Sequence, residues 1–384
     1  MKKIFFTLMM CIVIVLTITV ITRSDFLYDN LVKETNIEEI NINELEISNS
    51  TYWYDTLTKE QQRIYRVIVN GVINLDKSIN IDIVKDKKFE YINKDIEIAL
   101  NAFFADHPEI FYIKDKYEVT MVNFIAIKMV ILKLDYISED KYEIENMKQN
   151  LVAEIEKISS MIVNAKNEYE KELIIHDILG KEITYYEHEN YDDIPSIKHT
   201  AYSALVDKSA VCDGITKAFQ LVLNKSGVDS IFVTGISEGV PHAWCKVKLD
   251  GDYYNVDLTS DKTLNKENKE LIIHSYFNIT DKEIMSTHEF DNYDKLPKSE
   301  EKKYNYYTYE DYEISYIDNF EYKLNQIIKS QKSRGLLEFK VIGIDNVPQK
   351  MVEGLYNLNF NNYKARNITS IEYNQINDNY IVVK

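Results

Sequence analysis

With 384 residues, 45% of them hydrophobic and 28% charged, the chain is long enough for two or three compact units and too apolar to be disordered. Its 62 acidic against 45 basic side chains give a formal net charge of -17, which repels phosphate backbones and excludes nucleic acid as a partner. Three cysteines, one of them inside an N-terminal apolar run, are too few for a disulfide-stapled scaffold, so each thiol needs its own reading.

Lys2 and Lys3 precede an apolar run from Ile4 to Ile21, and Arg23, Asp25 and Asp29 follow it. A helix needs roughly 20 apolar residues to cross the hydrocarbon core, so this run is close to the lower limit for spanning. Thr19-Val20-Ile21-Thr22 offers no small-x-small cleavage site, which favours an uncleaved anchor over a removed signal peptide. The two lysines orient the N-terminus inward and place the rest outside, with secretion as the alternative if the segment is cleaved. Cys11 lies mid-run after Met9-Met10 and reads as an ordinary apolar residue.

The expected organisation is an anchor or signal segment over 1–28 and a polar, acidic stalk over 29–50. An N-terminal α+β region over 51–140, a domain over 141–297 and a small α/β domain over 304–384 follow. In the first region Thr58 and Gln61 form a capping-box pattern before a helix carrying Ile64, Tyr65, Ile68 and Val72. A second helix runs from about Asn93 to Phe104 and stops before His107-Pro108, and Tyr117 to Leu134 reads as strand. Ile144, Met147, Leu151, Ile155, Ile158 and Ile162 then mark one face of a long helix. Another helix begins near Glu168, with Tyr169, Leu173 and His176 on one face. Lys298 to Lys303 has no apolar residue and reads as a charged joint. Beyond it, helix is expected over Phe320 to Lys332 and Pro348 to Leu358, strand over Leu337 to Ile344, and two strands flank Asn377-Asp378.

The chemistry sits between 200 and 260. Cys212 opens a helix that carries Ile215, Ala218, Phe219 and Val222 inward and that Gly227 closes. Free backbone N–H groups and the positive end of the helix dipole favour thiolate over thiol there. Taken alone, such a cysteine is equally a buried apolar residue. Downstream, Pro241 to Leu249 and Asp252 to Thr259 read as strands joined by an Asp250-Gly251 type I′ turn, which pairs Leu249 with Asp252, Trp244 with Asp257 and His242 with Thr259. One face then carries His242, Trp244, Lys246, Asn255 and Asp257, and the other carries the apolar set with Cys245. His242 and Asp257 become diagonal neighbours, close enough for a carboxylate to orient the ring, although a salt-linked pair supporting the hairpin gives the same pattern. Cys245 faces the core, away from His242, and no disulfide with Cys212 is expected.

Cys212-Asp213-Gly214, His242-Ala243-Trp244 and Tyr254-Asn255-Val256-Asp257 with Thr259 resemble, in order and spacing, the bacterial transglutaminase-like superfamily. The likeness extends to His176-Asp177, Ala201 to Leu205 and Tyr276-Phe277-Asn278, over roughly residues 168 to 290. It implies an α+β, papain-like core with an antiparallel sheet and a Cys212, His242, Asp257 triad. Cys245 and Ser260 stand where relatives often carry Asn and Trp. For the oxyanion hole the Cys212 N–H and Tyr202 are candidates, although a core position suits Tyr202 equally. His176, His188, His199, His274 and His288 show no paired-ligand spacing, so surface or structural roles are expected, with no metal and no cofactor. The expected activity is acyl transfer on peptide or glutamine amides at the cell surface, leaning to a peptidase or amidase. The alternative is a catalytically silent envelope module that binds peptide with the same fold.

Overall fold

A computed structural model of the protein describes residues 51–82, 89–123, 128–264, 270–331, 336–344, 373–376 and 379–383. The apolar run, the stalk and the helix expected over Pro348 to Leu358 lie outside them. Among the described residues no helix is long and apolar enough to cross a membrane.

The chain enters through α1 (Tyr52–Asp55) and α2 (Lys59–Ile73). Thr58 and Gln61 close the capping box reciprocally at the start of α2, which satisfies two backbone donors the helix cannot. Next come β1 (Ser78–Asp82), α3 (Phe89–Asp106), β2 (Ile113–Asn123) and β3 (Lys128–Tyr136), whose strands form an antiparallel sheet in the order β1-β3-β2. The apolar stretch read as one strand is therefore a hairpin. After it come α4 (Lys141–Met161) and α5 (Glu168–Glu182), then β4 (Thr184–Tyr185), α6 (Ala201–Leu205) and β5 (Ser209–Ala210). On α5 the buried positions are Tyr169, Glu172, Ile175, His176, Leu179 and Gly180, and Leu173 is only half-buried.

The central helix α7 (Cys212–Lys225) ends at Ser226, with Gly227 at φ +79, the left-handed conformation glycine adopts without a Cβ clash. Next come β6 (Ser230–Ser237), β7 (Val240–Leu249), β8 (Asp252–Val256), β9 (Lys262–Leu264), β10 (Glu270–Ile272), α8 (Asp281–Ile284) and β11 (His288–Phe290). Four of these strands build an antiparallel sheet in the order β11-β6-β7-β8. Asp250 and Gly251 both have positive φ, so the hairpin turn is type I′ and Leu249 pairs with Asp252 as expected. The pairing stops at Val256, however: the Asp257 N–H donates to the Tyr276 carbonyl, and the chain curls back so that the Asp261 N–H donates to the Asp257 carbonyl. The expected facing of Trp244 with Asp257 and of His242 with Thr259 is replaced by that turn.

The polar face of the hairpin is not a solvent face. Trp244 packs with Ile231, Val233, Tyr276, Ile279, Ile284 and Leu296 in a second small core, while Lys246, Asn255 and Asp257 are fully buried. Lys246 Nζ lies 2.5 Å from Asp281 Oδ1 and 2.6 Å from Ser299 Oγ, and the Asn255 amide donates to the same carboxylate at 2.9 Å. Burial brings the Lys246 amine down to about 8. Ser299 is itself buried; its carbonyl accepts the Asp281 N–H and its own N–H donates to the Asp281 carboxylate, so the segment read as a charged joint is pinned at this point. We expect Asp281→Ala, which leaves the ammonium buried and unpaired, to cost about 3–5 kcal/mol of stability by chemical denaturation.

The remaining elements are α9 (Tyr306–Tyr309), β12 (Glu313–Ser315), α10 (Phe320–Ser330), β13 (Leu336–Ile342), β14 (Tyr373–Ile376) and β15 (Asn379–Val383), with sheet order β12-β13-β15-β14. Ile314, Leu324, Ile327, Leu337, Phe339 and Val341 form a separate core here. By contrast, one continuous core runs from Leu57 to Tyr307. The N-terminal helices and sheet thus share the core of the following region instead of closing on their own. Trp53 Nε1 donates to the Phe232 carbonyl of β6, and the Gln220 amide of α7 donates to the Ala105 carbonyl of α3.

Candidate active site

Cys212 begins α7 in a position that few residues could leave room for. Its neighbour Gly214 lies so close to the 198–200 segment that an added Cβ would meet the Lys198 carbonyl oxygen at 2.5 Å and the Ala210 Cβ at 2.9 Å. Glycine in a helix costs roughly 0.5–1 kcal/mol relative to alanine, and here it admits the close packing that fixes the first turn. No side chain caps the helix at Val211, so the N-terminal dipole stays directed at the thiol. Asp213 Oδ1 accepts the Gly214 N–H of the first turn at 2.9 Å. His199 Nδ1 lies 2.9 Å from its Oδ1, and the Lys217 ammonium stands 3.7 Å from its Oδ2. Burial works against the Asp213 carboxylate, but His199 and Lys217 outweigh it and hold the group below its ordinary range.

The structure brings Cys212, His242 and Asp257 together. Cys212 is 7% exposed and His242 9%, while Asp257 is fully buried. His242 Nε2 lies 2.7 Å from Asp257 Oδ2, and Cys212 is near enough for its thiol to act on the ring. Burial alone would push the imidazole down; Asp257 first and then Cys212 outweigh it, and the ring titrates well above its ordinary value. Asp257 is likewise penalised by burial, yet His242 and His288 hold it well below the usual carboxylate range. Its Oδ1 accepts the backbone N–H groups of Thr259 and Ser260, and its Oδ2 accepts the Ser260 hydroxyl at 2.5 Å.

Two neighbours are not readable from the pattern. His288, buried on β11, lies 3.0 Å from Asp257 Oδ2 through Nε2 and 2.8 Å from Thr287 Oγ1 through Nδ1. It reaches the site across β6, where Gly235 pairs with both His242 and Phe290, and an added Cβ at Gly235 would meet the Glu289 carbonyl oxygen at 1.8 Å. The only signal for it in the sequence is that glycine. Tyr185, on β4, is the second: burial first, then the charge of Cys212, then that of Asp213, push its phenol up. Tyr202 instead stacks on Phe111 with ring centroids 4.7 Å apart, inside the main core.

The other thiol behaves as its face predicts. Cys245 is buried, 3.7 Å from the Thr216 carbonyl, and burial followed by Asp257 and Glu172 pushes its thiol well above the ordinary value. Neither Cys212 nor Cys245 is in a disulfide. Of the six remaining histidines only His188 is exposed; His107, His176, His199, His274 and His288 are buried against carboxylates, so the surface half of the sequence expectation does not apply to the last four.

Residues 156–258 match the family model of the transglutaminase-like superfamily. This stretch is a transglutaminase-like core. Its α+β architecture, with the cysteine opening a helix and the histidine on an antiparallel sheet, is the one the resemblance implies. Among solved structures, a TGase aligns with 17% identity over 50% of this chain and 53% of its own (TM-score 0.27). A candidate cysteine protease from Cytophaga hutchinsonii aligns with 12% identity over 37% and 61% (TM-score 0.25), and a candidate protease from Parabacteroides distasonis with 14% over 41% and 44% (TM-score 0.23). The chain thus spans about half the length of these proteins. None of the curated proteins compared with it matches.

Proposed function

We propose that this chain is a thiol-dependent acyl-transfer enzyme acting on peptide or glutamine carboxamides. The observation that carries it is one imidazole held between a thiol and a buried carboxylate, with the thiol at an uncapped helix N-terminus. Cys212 as thiolate adds to the amide carbon, and the oxyanion falls to the Cys212 backbone N–H, with the protonated Tyr185 phenol as the nearby second donor. His242 as imidazolium gives its proton to the departing nitrogen; the C–N bond breaks and a thioester remains. Water or a primary amine then loses a proton to His242 as it attacks the thioester, and the thiolate leaves. Asp257 holds the ring and stabilises its charge. By the same proposal the apolar run from Ile4 to Ile21 inserts in a membrane and leaves the region after Arg23 outside.

The test is to incubate the full-length chain with a peptide library containing glutamine, with and without a primary amine. Ammonia release or chain cleavage without amine identifies a hydrolase, and amine incorporation identifies a transamidase. No product of either kind, across the library and from a protein that binds the peptides, would overturn the proposal in favour of a binding module.

A further inference from the structure

Away from the active site, α5 and the segment after β10 enclose a second cluster of histidine and carboxylate. His176 Nδ1 stands 3.5 Å from Asp177 Oδ1, and His274 Nε2 stands 3.0 Å from the same oxygen. These three atoms all lie within 4.8 Å of one another. Each imidazole is tied from behind by a buried carboxylate: His176 Nε2 to Asp261 Oδ2 at 3.2 Å, and His274 Nδ1 to Glu338 Oε1 at 2.8 Å. His274 Nε2 already hydrogen-bonds to that Asp177 oxygen, and two carboxylate-backed imidazoles whose other nitrogens converge on a third acidic ligand match the outer and inner layers of a transition-metal site.

The decisive atom is His176 Nδ1, which is fully buried and has no hydrogen bond of acceptable geometry. When Nε2 donates to Asp261, Nδ1 presents its lone pair to the Asp177 carboxylate, and lone pair faces lone pair. A cation between them turns that repulsion into two bonds. With metal–ligand bonds of about 2.0–2.1 Å, tetrahedral ligand atoms sit about 3.3 Å apart, which the observed 3.0 and 3.5 Å bracket. Lys181 Nζ, 3.1 Å from Asp177 Oδ2, occupies the oxygen that the metal would leave. Asp177 is also the entry path, since its side chain is 28% exposed while both rings are buried.

The cluster around Asp257 lacks this feature. There His242 Nε2 and His288 Nε2 both already hydrogen-bond to Asp257 Oδ2, and His288 Nδ1 is taken by Thr287.

We propose that His176, Asp177 and His274 bind one divalent zinc ion through Nδ1, Oδ1 and Nε2, with the fourth position open to solvent. Two imidazoles and one carboxylate suit zinc better than magnesium or calcium, which prefer oxygen, and the ion would displace the proton that His274 Nε2 shares with Asp177. Because Glu338 belongs to β13, the ion fastens the C-terminal sheet to the core through His274. Spacing in the sequence could not show this, because the ligands come from one i, i+1 pair and a residue 97 positions away.

The test uses the full-length chain, stripped with a chelator and titrated with zinc against a chromophoric competitor, with metal content counted by elemental mass spectrometry. One zinc per chain is expected, with affinity weakened at least about tenfold by His274→Gln and by Asp177→Asn, and unchanged by Cys212→Ala or His288→Gln. The half-exposed Asp177→Asn keeps the test decisive if His274→Gln does not fold. No zinc above background, zinc indifferent to Asp177→Asn, or zinc lost with Cys212 or His288 would each overturn the assignment.

Discussion

Cys212→Ala will lower acyl transfer on the order of 10⁴-fold or more while leaving thermal unfolding close to that of the wild type. The loss is chemical, because removing the nucleophile leaves only binding and the oxyanion donors. The fold should survive because the residue is small, sits at a helix terminus and is already 7% exposed. Alkylation of the folded protein tests the same assignment without a known substrate. Iodoacetamide at neutral pH should modify Cys212 rapidly if it is the nucleophile served by His242 at the start of α7. Cys245 should stay unmodified until unfolding, because burial disfavours its thiolate. His242→Ala should slow Cys212 labelling and leave Cys245 protected. Equal rates at the two cysteines, or a Cys212 rate indifferent to His242, would remove the physical basis of the triad.

The parts of this site that are legible in the sequence are those fixed by local rules. A cysteine before an amphipathic run sets a helix terminus, and Asp250-Gly251 sets a register that places His242 near Asp257, while the approach of Cys212 to them is implied only by the family resemblance. Period-2 alternation also separates Cys245 from His242. It does not reveal what covers each face. The side carrying Lys246 and Asn255 reads as solvent-facing, yet Asp281, Ser299 and the Tyr276–Leu296 cluster close over it from 20 to 50 residues downstream. His288 escapes notice for the same reason, since a three-residue strand has no periodicity to read. The strand end at Asp257 was obscured by a tertiary bond: the Tyr276 carbonyl takes the N–H that the ladder would have used.

Asp257→Asn will lower turnover by about 10⁴-fold, with KM changed much less. An amide at this position offers either its oxygen or its NH₂ to the ring. With the amide oxygen kept at the Oδ1 position to accept the Thr259 and Ser260 N–H groups, the NH₂ takes the place of Oδ2 and faces His242 Nε2. That contact selects the tautomer with its proton on Nδ1, so the nitrogen facing Cys212 can no longer accept one. The imidazolium also loses its counter-charge, and His288 loses the same partner. Stability should respond in a way that depends on pH. The folded Asp257 carboxyl titrates well below its unfolded value of about 3.9, so its stabilising contribution is fully present above that value and is lost as pH falls towards the folded one. The difference in unfolding free energy between wild type and Asp257→Asn should therefore shrink below about pH 4, after rising as pH falls from neutral to about 5, because the buried His242 is charged favourably only beside the carboxylate. Denaturant titrations of both proteins at several pH values check this, and a difference that does not grow between neutral pH and about 5, or does not shrink below about 4, would show that Asp257 is not the ionised partner of His242.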